Sequence, residues 1–259
     1  MRYSLGRKFS VFYASFIYLF LYMPIAILIL YSFNQSKLNA VWTGFTFDWY
    51  VKLMQNSDVL EAMKTSLIVA LIGTLAATMI GTLAAVGMYR YHFRGKTALD
   101  AMLYLPIVIP EIVMGISMLA LFAQLKVPLG YFTLIAAHIT FSVPFVVVVV
   151  RARLAGFDKS IEEAAMDLGA TPWQTFVKVT MPVIAPGILA SAMLAFTLSL
   201  DDVIISFFVA GPASATLPLK IFSMVKFGVT PEINALSTLM LVVTLAIVIF
   251  AERIRMRKQ

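Results

Sequence analysis

Six long apolar runs constrain the fold of this chain more than any other feature of its sequence. A helix of about 20 residues crosses a bilayer core of about 30 Å, because each residue adds about 1.5 Å of rise. The runs that reach this length are residues 9–33, 66–88, 101–125, 129–150, 187–209 and 233–250. The sequence therefore predicts an all-α, polytopic membrane protein with six transmembrane helices.

The composition supports this assignment and excludes several classes of function. Of the 259 residues, 61% are hydrophobic and 13% are charged, and the mean hydropathy is +0.92. Soluble domains carry about half apolar and about a quarter charged residues. The excess of 20 basic over 13 acidic residues is explained by membrane orientation, so we expect no nucleic-acid partner. Without cysteine, the sequence offers no disulfide and no thiolate metal ligand.

The basic residues are distributed unevenly between the segments that connect the apolar runs. When these segments are assigned alternately to the two sides of the membrane, 14 of the 20 Lys and Arg residues fall on one side, with both termini and the segment 151–186. Because Lys and Arg are enriched in cytoplasmic segments, we expect both termini and this segment in the cytoplasm. The chain would then be one membrane domain, residues 1–259, with residues 151–186 as a cytoplasmic loop within it.

A capping pattern and a glycine define a first short helix in the segment 151–186. Ser160 and Glu163 have the spacing of a capping box, so a helix should begin at Ile161. Gly169 should end it, because glycine readily adopts the left-handed conformation that closes a helix. The apolar and small residues of this helix share one face: Ile161, Ala164, Ala165 and Leu168.

A second short helix is predicted after the glycine. Thr171 and Gln174 have the same capping spacing, and Pro172 suits the first helical position. We expect Pro182 and Pro186 to end this helix. Its apolar side carries Trp173, Phe176 and Val177. The apolar faces of the two helices either pack back onto the membrane domain or form a docking surface, and the residues alone leave both interpretations open.

No pattern in the sequence indicates catalysis by this chain alone. Gly95-Lys96-Thr97 has the form of the end of a phosphate-binding loop, but the first glycine of that motif would fall at Arg90. The sequence shows neither a nucleophile elbow nor a cluster of His, Asp and Glu at metal-ligand spacing. We therefore expect no catalytic residue, no cofactor and no metal ion.

Three acidic residues fall within the predicted spans, and no Lys or Arg falls there with them. Glu111 lies near the middle of the third span, and Asp201 and Asp202 lie in the outer half of the fifth. Each ionised carboxylate costs about 2.5–3.5 kcal/mol near the centre of a span. Protonation, a basic residue of another subunit, a water-filled cavity or a transported cation could offset this cost. We expect no partner for these carboxylates within the chain.

A transport pathway is the favoured explanation, because Pro106 and Pro110 should weaken the helix just before Glu111. Adjacent positions on a helix point about 100° apart, so Asp201 and Asp202 cannot both face one narrow pathway. We expect one of them to line the pathway and the other to bond to neighbouring helices, and the sequence gives no basis for choosing.

Other residues of the spans point to packing. His138 is interpreted as a neutral side chain bonded to a neighbouring helix, with a proton relay as the alternative. Four small residues recur at four-residue spacing on the second span and permit close approach of another helix, within the chain or in a second subunit. These are Gly73, Ala77, Gly81 and Ala85.

The segment 151–186 resembles the EAA loop of ABC importer permeases, whose pattern is Glu-Ala-Ala, three residues, Gly, nine residues, and Ile-x-Leu-Pro. The matching residues are Glu163, Ala164, Ala165, Gly169 and Pro182. Val179 and Met181 are conservative departures from the Ile and Leu of the pattern. The resemblance implies a type I, MetI-like permease fold and a coupling role for this loop, which would dock into a cleft of an ATP-hydrolysing subunit.

Residues 105–117, 196–212 and 217–239 resemble the smaller membrane subunit of spermidine/putrescine importers, and the likeness extends over nearly the whole chain. It implies a permease of the bacterial inner membrane whose partners are a dimer of nucleotide-binding ATPase subunits, a second and different permease, and a periplasmic substrate-binding protein. A multiply charged polyamine suits a pathway at Glu111, Asp201 and Asp202, although only the resemblance names this substrate.

Three alternatives stay open on the sequence. An ABC importer for another cation or small organic solute would share the docking loop. A proton-coupled secondary transporter would also place carboxylates and a histidine in its spans, but it would work without ATP and without an EAA loop. A signalling or scaffold protein of the membrane would dock partners without transporting anything.

Overall fold

The computed structural model describes residues 3–36, 41–226 and 228–256, and their regular structure is helical apart from an isolated bridge between Asn34 and Phe45. The helices are α1 (Tyr3–Tyr31), α2 (Asp48–Gln55), α3 (Ser57–Arg90), α4 (Lys96–Val108), α5 (Glu111–Gln124), α6 (Tyr131–Leu154), α7 (Ser160–Asp167), α8 (Pro172–Thr175), α9 (Met181–Asp201), α10 (Ile204–Val209), α11 (Leu217–Val225) and α12 (Pro231–Met256). A π-helical turn, Phe176–Thr180, joins α8 to α9.

Five helical segments of the described chain are long and apolar enough to cross a bilayer. They are Phe9–Tyr31, Ser57–Arg90, Tyr131–Leu154, Pro172–Asp201 and Pro231–Ile249. The predicted number of six spans is reached when α4 and α5, which are bent by 110° at their junction, count as one broken span.

Two of the predicted spans differ from the structure in form. The run 101–125 is two helices, and the residues between them, Ile109 and Pro110, have extended backbone. The run 187–209 was expected to be one helix after a separate cytoplasmic piece. Instead the helix extends from Pro172 to Asp201, and it breaks at Asp202 before α10.

The described residues fall into two compact units, one drawn from Met1–Leu60 and Ile221–Leu245, the other from Glu61–Lys220 and Ala246–Gln259. In the first unit, the loop between α1 and α2 is held by polar contacts of Asn34. The Trp49 indole N–H donates to the Asn34 carbonyl at 2.8 Å, and the Asn34 amide donates to the Val41 carbonyl at 2.9 Å. Trp49 is therefore a buried residue of α2 that is bonded to this loop.

In the second unit, α6 is the central helix and contributes to two buried apolar clusters. One cluster joins it to α3 and α9 through residues such as Val146, Ala77 and Ile184. The other joins it to α3, α5 and α10 through residues such as Leu134 and Ile205.

The small-residue stripe of α3 packs within the chain, against α6. A Cβ atom on Gly81 would lie 2.6 Å from Cγ1 of Val146, and one on Gly73 would lie 3.4 Å from Cβ of His138. The close approach predicted for this stripe is thus found between two helices of the same subunit. It places His138 beside α3 and fixes the helix that supports the polar contacts described next.

Candidate functional site

Glu111 lies at a helix break that its own sequence neighbours create. Pro110 lacks an N–H group and disfavours the helical conformation at the preceding residue, Ile109. The chain is accordingly extended at both positions, with ψ of 133° and 135°, and Glu111 becomes the first residue of α5. The prediction that proline interrupts the helix beside Glu111 is confirmed for Pro110, whereas Pro106 lies inside α4 without ending it. The Glu111 side chain is exposed in the isolated chain.

Asp201 and Asp202 lie at a second break, where α9 ends and α10 begins. Asp202 is extended, with ψ of 124°, and its carboxylate accepts hydrogen bonds from the N–H groups of Ile205 and Ser206 at 3.1 and 2.8 Å. The hydroxyl of Ser206 donates to the same carboxylate at 2.7 Å. Asp202 thereby caps the N-terminus of α10, where carboxylates are favoured.

His138 on α6 ties the two halves of this break together. Its Nδ1 shares a hydrogen bond with the hydroxyl of Ser199 at 2.6 Å, and its Nε2 lies 3.2 Å from the hydroxyl of Ser206. The same Nε2 is 3.5 Å from the Asp202 carboxylate, and the side chains of this pair are 3% and 5% exposed. The interpretation of His138 as a side chain bonded to neighbouring helices is confirmed.

The expectation that the three carboxylates lack partners in this chain is wrong for Asp202. The sequence did contain a signal, since aspartate is one of the residues preferred at the N-terminal cap of a helix. The signal was hidden because apolar residues surround it and no Pro or Gly marks the break. For Glu111 and Asp201, the described part of the chain supplies no ion pair.

The structure brings the two breaks together. The charges of Asp202 and Asp201 both act on Glu111. Helices α5 and α10, which begin at the two breaks, pack closely, because a Cβ atom on Gly115 of α5 would lie 2.5 Å from the ring of Phe208 on α10. The exposed carboxylates Glu111 and Asp201 therefore lie at two helix breaks that are close enough for their charges to interact.

A second candidate site is the helical hairpin of α7 and α8. Gly169 has φ of +88°, and the N–H groups of Gly169 and Ala170 reach the carbonyls of Met166 and Ala165 at 2.9 and 3.1 Å. This is the Schellman arrangement that ends helices. The role predicted for Gly169 as the corner of the hairpin is confirmed.

The structure contains one of the two capping boxes that were predicted for the hairpin. The capping box of α8 is present, since Thr171 Oγ1 accepts from Gln174 N at 3.3 Å and Gln174 Oε1 accepts from Thr171 N at 2.9 Å. The capping box predicted for Ser160 and Glu163 is wrong. Asp158 instead accepts from the N–H of Ser160 at 2.9 Å, and hydrogen bonds from Ser160 lower the pKa of the Asp158 carboxyl.

The prediction that Pro182 and Pro186 end the second helix is also wrong. Through the π-helical turn the N–H of Met181 reaches the carbonyl of Phe176, five residues back, and Pro182 then occupies the first turn of α9. Proline has no N–H to donate, and here it lies where the hydrogen-bond pattern changes from π-helical to α-helical, so the helix continues past it. The hairpin is therefore joined to the span α9 without a break.

The apolar face of the hairpin is exposed. Leu168 is 90% and Trp173 is 71% exposed, and Glu163 and Ala164 are also on the surface, while Ala165 is half-buried. In the isolated chain, most of these two faces is not packed back onto the membrane domain, but Phe176 is partly buried against the core cluster of α3, α6 and α9. An exposed apolar patch of this kind marks an interaction surface.

The opposite side of the hairpin is anchored by charged residues that the sequence did not single out. Arg90, the last residue of α3, forms an ion pair with Glu162 of α7 and donates to Thr180 Oγ1 at 2.8 Å. Arg153 of α6 donates two hydrogen bonds to the Val183 carbonyl at 3.2 Å. No local pattern reveals the Arg90 contact, because 72 residues separate it from Glu162.

Within residues 3–36, 41–226 and 228–256, no group of three or more His, Cys, Asp or Glu side chains could hold a metal ion.

Residues 77–256 match the family described as binding-protein-dependent transport system inner membrane component. The chain is 48% identical over 250 residues to the spermidine/putrescine transport system permease protein PotC of Escherichia coli (strain K12), covering 96% of this chain and 95% of that protein. It is 46% identical over 229 residues to the putrescine transport system permease protein PotI of the same organism, covering 86% and 82%.

A solved structure has the same fold. It is that of a bacterial ABC transporter involved in the import of the acidic polysaccharide alginate, with a TM-score of 0.77 at 20% identity, covering 97% of this chain and 96% of that one. At this identity the likeness concerns the fold alone. The all-α permease fold of ABC importers, expected from the EAA pattern, is thereby confirmed.

Proposed function

Because the chain belongs to the family of binding-protein-dependent transport system inner membrane components, we propose that it is the permease subunit of an ATP-driven importer of polyamines. The observation that carries the substrate class is the pair of exposed carboxylates, Glu111 and Asp201, at converging helix breaks without an ion pair in the described chain. Relatives named for spermidine and putrescine transport support the same substrate.

The chemistry of the breaks suits an extended polycation. The ends of α4 and α9 each leave backbone carbonyls without helical partners, and these carbonyls and carboxylates attract ammonium groups. Two negative groups on separate helices can engage two ammonium groups of one flexible molecule. A monovalent cation would gain from one of them only.

Asp201 and Asp202 have different roles in this proposal. Asp202 is 8% exposed, and its carboxylate already accepts three hydrogen bonds and lies beside His138. Asp201 is exposed at the end of α9. We assign Asp201 and Glu111 to the substrate pathway. We assign to Asp202 the role of stabilising the break between α9 and α10.

The hairpin of α7 and α8, within the loop 151–186, is proposed as the docking site for an ATPase subunit. Glu163, Ala164, Gly169 and the exposed Leu168 form the face that would enter the partner. The continuous helix from Pro172 to Asp201 supports this role, because it links the docking face directly to the break beside Asp201. ATP-driven movement of the hairpin would then reach the substrate pathway through one helix.

The proposed importer also implies the remaining partners of the chain and its orientation in the membrane. Both termini and the hairpin lie in the cytoplasm, as 14 of the 20 basic residues indicate. A second, different permease completes the pathway, a dimer of ATPase subunits drives it, and a periplasmic binding protein delivers the polyamine. ATP hydrolysis takes place in the separate subunit, and the substrate moves only as far as its affinities for the two states of the permease differ.

The test of this function is uptake of labelled spermidine into proteoliposomes that contain the chain with its co-purifying partners and binding protein. We expect uptake that requires ATP on the ATPase side and that putrescine reduces by competition. A complex that hydrolyses ATP but carries no polyamine would refute the substrate class. Uptake driven by a proton gradient without ATP would refute the ATP-driven mechanism.

The proposed docking of the hairpin to an ATPase subunit can be tested separately in the same proteoliposomes. Gly169→Pro forces φ from +88° toward about −65° and should abolish the hairpin corner. Glu163→Arg reverses a charge on the exposed face. We expect both variants to insert into the membrane but to lose the coupling of ATP hydrolysis to transport. Normal coupled uptake in both would refute the docking role.

A further inference from the structure

A polar cluster on the inner side of the hairpin joins three elements of the chain. We define the hairpin latch as Arg90, Glu162 and Thr180. Arg90 pairs with Glu162 and donates to Thr180 Oγ1, and Thr180 Oγ1 itself donates to Glu162, so the three side chains form a closed set of contacts. They come from the end of α3, the first turn of α7 and the π-helical turn before α9.

The environment of the latch makes these contacts strong. The Arg90 and Glu162 side chains are only 21% and 13% exposed. The Arg90 guanidinium carbon also lies 5.5 Å from the ring centroid of Phe176. Charges shielded from water interact more strongly than charges at the surface, and the loss of one partner leaves the other without compensation.

The position of the latch relates it to the docking face. Glu162 and Glu163 are adjacent on α7, so their side chains point about 100° apart. Glu163 is exposed on the docking side, whereas Glu162 points inward to Arg90. A displacement applied to the outer face of α7 is thus passed to α3 through Glu162.

We propose that the hairpin latch makes the hairpin and the cytoplasmic end of α3 move as one body, and that coupling of ATP hydrolysis to transport requires it. The inference rests on the proposed docking of an ATPase to the hairpin. It goes further, because it gives a positioning role to residues on the inner side of the hairpin, away from the proposed docking face. The π-helical turn contributes by placing the Thr180 hydroxyl between Arg90 and Glu162.

The chain contains a matched control pair. Arg151 of α6 and Asp100 of α4 form an ion pair of similar chemistry, with side chains 34% and 35% exposed. This pair joins α4 to α6 rather than to the hairpin, and it is more exposed than the pair in the latch, so it should contribute less. Asp100→Asn therefore tests the loss of a carboxylate ion pair without disturbing the latch.

The first readout is the number of spermidine molecules transported per ATP by the full complex in proteoliposomes. Glu162→Gln should lower this ratio at least about tenfold, because it leaves the half-buried Arg90 without its counter-charge. Asp100→Asn should leave the ratio within about twofold of the unmodified complex. The double variant Arg90→Glu with Glu162→Arg should recover part of the loss.

The second readout does not depend on the substrate. Because the chain has no cysteine, spin labels can be attached at Leu83→Cys on α3 and Asp167→Cys on α7, both exposed positions, in a complex whose partners are cysteine-free. With the latch intact, the distance between the labels should stay narrow and constant when ATP is bound. In Glu162→Gln the distance distribution should broaden.

The outcomes separate this proposal from the proposed function. If the unmodified complex carries no spermidine, the substrate assignment fails, and the latch is judged on the spin-label distances alone. A Glu162→Gln complex with a normal transport ratio, or with a distance distribution as narrow as that of the unmodified complex, overturns the latch. If that variant does not assemble, Thr180→Val takes its place, and unchanged values of both readouts in it overturn the latch equally.

Discussion

The two helix breaks that carry the acidic residues are made in different ways. The break before α5 is local, since Pro110 sets the extended backbone of Ile109 and itself. The break before α10 has no Pro or Gly between Thr197 and Ser206, and it is held by contacts of the Asp202 carboxylate and His138. The comparison teaches that similar interruptions of a span can depend on backbone covalent structure or on side-chain bonding between helices.

The largest effect is expected at the second break. Asp202→Ala removes the acceptor of three hydrogen bonds and leaves two N–H groups, the Ser206 hydroxyl and His138 without it. We expect a loss of about 3–5 kcal/mol of unfolding free energy and no transport. Thermal unfolding of the purified complex measures the first, and spermidine uptake measures the second.

The matched control for this prediction is Asp201→Ala at the neighbouring position. It removes a carboxylate of the same size that is exposed and caps no helix. Its unfolding temperature should stay close to that of the unmodified complex. Equal destabilisation by the two variants would contradict the distinction between the two aspartates.

The next effect is expected at the first break, on conformation more than on stability. Pro110→Ala makes a continuous helix through residues 105–115 more favourable by about 3 kcal/mol, because proline is that much poorer than alanine inside a helix. Spin labels on α4 and α5 should show a distance distribution shifted toward a straighter pair. Val203→Ala serves as the control at the second break, which contains no proline to remove.

A distribution unchanged by Pro110→Ala would show that tertiary contacts, such as the packing of Gly115 on Phe208, hold the first break as well. The contrast between the two breaks would then disappear.

A smaller effect is expected for the exposed carboxylates. Glu111→Gln and Asp201→Asn keep the side-chain volume and remove the charge that attracts the polycation. Each should reduce uptake of spermidine about tenfold, since one hydrogen-bonded charge pair contributes about 1.5–3 kcal/mol, while the amount of assembled complex stays the same. Unchanged uptake in both variants would remove the support for an acidic pathway.

The smallest effect is expected at Asp158, an exposed counterpart of Asp202. Hydrogen bonds from Ser160 lower the pKa of Asp158, so its contribution to stability is present above the unfolded-state pKa and is lost as the pH falls through the folded-state pKa. Asp158→Asn should therefore matter less in strongly acidic solution, where the carboxyl becomes protonated, than in neutral solution. A titration of Asp158 by NMR in the detergent-solubilised protein checks the direction, and an ordinary pKa would contradict it.

Much of the hairpin could be predicted because its signals are local. Gly169, Thr171 and Gln174 act on residues within a few positions of themselves, and each has the predicted role. The capping of α7 was assigned to Ser160 although Asp158, two residues earlier, provides it. Such errors are expected where two capping residues compete within one turn.

The contacts that connect the candidate sites could not be predicted in the same way. Glu162 meets Arg90 across 72 positions, and His138 meets Ser199 across 61. No periodicity or spacing encodes such pairs, since they depend on how α3, α6 and α9 pack.

By itself, the sequence determined that the chain is a helical membrane protein, where Pro110 interrupts it, and how the hairpin corner is built. These features follow from the length of apolar runs and from the backbone chemistry of proline and glycine, which act locally. Only the tertiary structure decided that α9 continues from the hairpin into the membrane, that Asp202 is bonded while Asp201 is exposed, and that Arg90 holds the hairpin. Those outcomes depend on which polar groups have partners on other helices. Only the packing of the helices brings such partners within hydrogen-bonding distance.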